Sequence, residues 1–62
     1  MKMRIDITST QVKNIEYVVY TWLDVSHIEY DGAMLYVFLN TSTHVPSYSR
    51  KEFISFKITT KN

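Results

Sequence analysis

Hydrophobic and polar residues alternate over the first eight positions. Met3, Ile5 and Ile7 point one way, and Lys2, Arg4, Asp6 and Thr8 the other. A period of two predicts a strand with one buried face. From Val12 the spacing changes: Val12, Ile15, Val18, Val19, Trp22 and Leu23 recur at helical intervals. At 100° per residue they fall within an arc of roughly 140°, wide enough to be a core-facing stripe. Thr8 and Gln11 ahead of this run match a capping box. The pattern predicts a helix from about 9 to 23. A strand through Glu16–Leu23 is the alternative, and its alternation is poor.

Val25 to Leu39, VSHIEYDGAMLYVFL, is the stretch around which the rest is organised. Two runs with strand chemistry flank Asp31-Gly32, a dipeptide suited to a tight hairpin turn. A two-residue turn sets Tyr30 opposite Ala33, Glu29 opposite Met34, Ile28 opposite Leu35 and His27 opposite Tyr36. One face then carries Ile28, Tyr30, Ala33, Leu35, Val37 and Leu39, and is read as core. The other carries Val25, His27, Glu29, Met34, Tyr36 and Phe38. The second strand is apolar on both sides, as in a strand covered on both faces.

Asn40 to Thr43 reads as a polar loop. Pro46 cannot donate to a ladder, so any strand beside it lies at an edge. Alternation returns at Ile54, Phe56 and Ile58 and predicts a last strand over about 52–60. The capping-box spacing of Ser49 and Glu52 offers a short helix at 49–56 instead. The expected fold is α+β: a β-α-β-β-β order, with a small antiparallel-rich sheet and one helix packed on one face. Residues 1–62 form one domain. The expected core is Ile5, Ile7, Val12, Ile15, Val19, Trp22, Ile28, Leu35, Val37, Ile54, Phe56 and Ile58.

Composition narrows the picture. A 62-residue chain buries only about 60% of its unfolded surface, so its core is marginal. It has no cysteine, which excludes disulfides and cysteine-ligated metal, and nothing argues for secretion. MKMRIDI holds no long apolar run, so no secretory leader is expected, and no stretch is long enough to span a membrane. The expected location is cytoplasmic. Net charge is +1, too small to steer the chain toward nucleic acid. The charges are segregated, however. Residues 24–40 hold Asp24, Glu29 and Asp31 with no base (−3), whereas 44–62 hold Arg50, Lys51, Lys57 and Lys61 against Glu52 (+3). Ile, Lys, Asn, Tyr and Phe are plentiful while Ala, Gly and Pro occur once each. AT-rich codons produce that bias, which suits a phage or mobile element.

No catalytic signature emerges. His27, Glu29 and Asp31 stand near one another, but zinc wants three or four ligands and the only other histidine, His44, lies in an unrelated segment. No serine has neighbouring glycines, and the single glycine belongs to the hairpin turn. No enzyme activity, cofactor, metal or small-molecule ligand is expected. The aromatic residues stand out instead. The expectation is a non-catalytic protein–protein interaction module that self-associates, as a homodimer or larger, or binds and modulates a larger protein. His27, Met34, Tyr36 and Phe38 would form the contact, with Glu29 and Asp31 at its rim. The alternative is a small nucleic-acid binder using exposed tyrosines with Arg50, Lys51, Lys57 and Lys61.

Overall fold

The computed structural model describes residues 2–61. Met1 and Asn62, and the side chains of Thr10, Glu16, Val18 and Lys61, lie outside the described residues. Five strands follow in chain order: β1 (Lys2–Val12), β2 (Ile15–Tyr30), β3 (Met34–Leu39), β4 (Ser47–Ser49) and β5 (Ser55–Lys61). They form one antiparallel sheet of order β4-β3-β2-β1-β5. Among the described residues there is no helix, so the α+β expectation is overturned.

The predicted helix is instead the β1–β2 hairpin. Lys13 and Asn14 both take positive φ, 51° and 68°, and turn the chain between Val12 and Ile15. Positive φ at both central residues is the signature of a type I′ turn, which matches the twist of the flanking strands. The residues around it favour a strand. Thr10, Val12, Ile15, Val18, Val19 and Thr21 are β-branched, and Tyr17, Tyr20 and Trp22 are aromatic. The 3.6-residue stripe was coincidental: Val12, Ile15 and Val19 are all about half exposed. Thr8, expected to cap a helix, is a buried strand residue opposite Ser55.

β2 organises the sheet. Sixteen extended residues would span about 50 Å, yet the molecule measures only 35 Å along its longest axis. The strand must therefore bend. The bend lies near Asp24, which takes the left-handed conformation (φ 56°) where the β1–β2 register slips. A bulge of this kind bends a strand and increases its twist. Asn40 holds the corner: its backbone N–H donates to the Asp24 carbonyl (3.1 Å) and its Nδ2 to Asp24 Oδ1 (2.9 Å). Pairing changes hands here, with β1 along Ile15–Val25 and β3 along Val25–Tyr30.

The bent sheet encloses its own core. Ile5, Ile7, Val25, Leu35, Val37, Tyr48 and Phe53 are buried, flanked by Met3, Trp22, Ile28, Leu39 and Phe56. Tyr48 on the edge strand β4 reaches Trp22 on β2, whose Nε1–H donates to the Tyr48 hydroxyl (2.8 Å). The chain after β4 then crosses to the opposite edge. Glu52 N–H donates to the Ser49 carbonyl (2.9 Å), making a turn rather than the alternative helix at 49–56. Ile54 N–H donates to the Thr8 carbonyl (2.7 Å), and β5 begins at Ser55, three residues later than expected. Phe53 is thereby buried among Tyr30 and Phe56, while Ile54 and Ile58, expected in the core, are more than a third exposed. Pro46 does precede an edge strand, and its carbonyl accepts the Val37 N–H (2.9 Å).

Candidate functional site

The second hairpin positions the residues singled out in the sequence, with a register two residues away from the expected one. Tyr30 pairs with Leu35, Glu29 with Tyr36, Ile28 with Val37 and His27 with Phe38. Gly32 alone takes positive φ (91°) and shares the turn with Ala33. The Asp31 carboxylate fixes this arrangement by accepting the N–H groups of Ala33 and Met34, both at 2.8 Å. Those two donors hold the Asp31 carboxyl below its ordinary value. Asp31 thus forms the turn, and it remains exposed at the hairpin tip. A shift of two conserves which residues share a face, so the expected separation of core and outer faces survives from Glu29 to Phe38. Val25 is the exception. Ser26 is the extra residue between the Val25 and His27 pairs, and Val25 turns inward and is buried.

The outer face of β2–β3 therefore carries His27, Glu29, Tyr36 and Phe38, with Met34 at its tip end beside Ser49 of β4. His27 lies flat on Phe38, ring centroids 4.3 Å apart and planes 5° from parallel. Glu29 Oε2 stands 3.9 Å from His27 Nε2, an ion pair when the imidazole is protonated. Tyr36 is exposed, and Met34 and Phe38 are half-buried. The long connection after β4 packs Phe53 into the enclosed core, against Tyr30 and Phe56, and not against this aromatic surface.

Among the described residues, two of the basic side chains of the nucleic-acid alternative are placed away from this face or engaged within the chain. Arg50 donates from Nη1 to the Phe53 carbonyl (2.5 Å) and stands over the Phe53 ring at 5.0 Å. Lys51 lies in the following turn. Lys57 sits on β5, three strands away from β3 and opposite Asp6. The Lys61 side chain lies outside the described residues. Burial opposes ionisation of Asp6, but the Thr21 hydroxyl, the Arg4 guanidinium and the Lys57 charge hold its carboxyl below the ordinary value.

Sequence patterning missed Tyr48 as a core residue and its contacts with Trp22 and Tyr20. The Tyr48 ring meets Tyr20 at 4.8 Å while its hydroxyl accepts from Trp22. Pro46 before Tyr48 marked an edge strand, but nothing in the linear order showed that this edge folds over β2. A hollow of ≈ 430 Å³ is lined by Lys2, Met3, Arg4, Leu23, Asp24 and Thr59. It carries no histidine, serine or cysteine, and its carboxylate is bonded to Asn40. Among the described residues no three potential metal ligands stand together, and no helix is long and apolar enough to cross a membrane. Comparison of the chain with protein-family models, curated proteins and solved structures gave no match.

Proposed function

We propose that this chain is a non-catalytic protein-interaction module whose contact surface is the outer face of β2 and β3. The observation that carries the reading is the flat His27–Phe38 stack with Tyr36 exposed on the same face. Stacked, strand-mounted rings lose little side-chain entropy on binding, and such aromatics commonly anchor interfaces. Met34 extends the surface as an adaptable apolar contact, and Glu29 adds charge beside it. The cysteine-free composition suits action in the cytoplasm. The nucleic-acid reading is weaker, because Lys57 lies on β5 at the far edge and Arg50 is engaged within the chain.

The double substitution Tyr36→Ser with Phe38→Ser tests the proposal. Affinity capture from the source cells is compared for the parent and the double variant, with thermal melting recorded for both. A protein retained by the parent and lost by a folded variant supports the reading. Identical capture by both refutes it. Titration of labelled oligonucleotides at low salt tests the alternative, since phosphate contacts bind most tightly there.

A further inference from the structure

The two edges of the sheet are built differently. β4 is three residues long, follows Pro46 directly and ends in the Ser49–Glu52 turn. Short length and proline are the usual ways to keep an edge from pairing. β5 has neither. It runs for seven residues in an unbroken register with β1, from Thr8↔Ser55 to Lys2↔Lys61, and contains no proline, glycine or bulge. Among the described residues no strand pairs with its other side. Among its described side chains the one charge is Lys57, which stands opposite Asp6 on β1.

We infer that β5 pairs antiparallel with the β5 of a second copy, joining two sheets across a two-fold axis at Ile58. Residues directly opposite in a sheet share a face, so a symmetric pair must centre on a residue. Centring on Lys57 sets that lysine against its own copy. Centring on Thr59 sets positions 57 and 61, both lysine, against each other. Like charges directly opposite destabilise a ladder. Centring on Ile58 removes both conflicts and keeps all seven residues paired. Lys57 then faces the partner's Thr59, Phe56 faces the partner's Thr60, and the two Ile58 side chains meet. Ile58 is 41% exposed although Ile5, its neighbour on β1, is fully buried. A second copy would cover it. The inference does not depend on the outer face of β2–β3, which lies toward the other edge. It would give the assembly two such faces.

The absence of cysteine makes the test clean. Single variants Ile58→Cys, Lys57→Cys and Thr60→Cys are oxidised under identical conditions. Ile58→Cys is expected to crosslink fastest, because only residues on the axis approach within disulfide range of themselves. Light scattering should show twice the chain mass at high concentration. Thr59→Lys and Thr59→Glu should move the dissociation constant in opposite directions. Their values should lie about thirtyfold apart, because two symmetry-related pairs with Lys57 change from repulsive to attractive. Melting curves of both variants separate this from the intrachain contact of position 59 with Arg4. A monomer at every concentration overturns the inference. So does a dimer indifferent to Thr59 charge, or faster crosslinking at 57 or 60.

Discussion

Changing Lys13-Asn14 to Asn-Gly should stabilise this protein if the β1–β2 hairpin is right, and destabilise it if residues 9–23 are helical. Both central residues of the turn hold positive φ, 51° and 68°. Left-handed backbone costs an ordinary side chain such as lysine about 1–2 kcal/mol, while asparagine and glycine occupy it more readily. Glycine returns part of the gain as lost conformational entropy, about 0.5–1 kcal/mol. The net is a stabilisation on the order of 1 kcal/mol, or a rise of about 4–8 °C in melting temperature for a domain this size. In a helix interior both substitutions lower propensity, by about 0.5–1 kcal/mol together. The two folds thus predict opposite signs. Thermal unfolding followed by far-UV circular dichroism and Trp22 fluorescence gives the global answer. Hydrogen exchange at Val12 and Ile15 reports locally on the turn. A lowered midpoint with faster exchange at those amides would refute the hairpin.

Tyr48→Phe leaves the Trp22 indole N–H without its acceptor and should cost about 1–2 kcal/mol. Burial pushes the Tyr48 hydroxyl above its ordinary value, against the opposing Trp22 hydrogen bond, with Tyr20 and Glu52 adding to the rise. Its contribution is therefore intact below pH 10.0 and lost as pH rises through the folded value. The parent should lose stability in that alkaline window and Tyr48→Phe should lose less, as read by melting across pH. Leu35→Ala empties a fully buried site and should cost about 2–5 kcal/mol. Ile15→Ala, at a half-exposed site, should cost about 0.5 kcal/mol or less, and equal losses in denaturant titration would contradict the core described above. Asp31→Ala removes the acceptor for Ala33 and Met34 and should lower the midpoint at neutral pH. Because the folded Asp31 carboxyl titrates below the unfolded one, that difference should narrow as pH falls below 3.8 through the folded value.

Much of this architecture was legible where side chains alternate against water. The strands through Met3, Ile5 and Ile7 and through Leu35 and Val37, and the last strand through Phe56, are where alternation placed them. So is the outer face with His27, Glu29, Tyr36 and Phe38, because a register error of two leaves faces unchanged. Between 9 and 23 the pattern misled. Apolar residues there satisfy a helical stripe by spacing, while most stand on a hairpin exposed to solvent. Their β-branched character was the better guide, and Lys13-Asn14 is a turn whose type the dipeptide does not announce.

Ile5, Ile7, Leu35 and Val37 were legible as core, but the curvature of the sheet decided the remaining buried residues. A flat sheet would leave Val25, Tyr48 and Phe53 uncovered as readily as it buries them. They are enclosed because β2 bends at Asp24, so that β4 reaches Trp22 and the chain after it crosses to β1. The bend depends on Asn40 holding Asp24 from sixteen residues away. Such a contact leaves no periodicity in the chain, since its energy comes from closing the sheet on itself. On each strand the order of residues set which side chains seek to leave water. The curvature of the sheet determined which of them could.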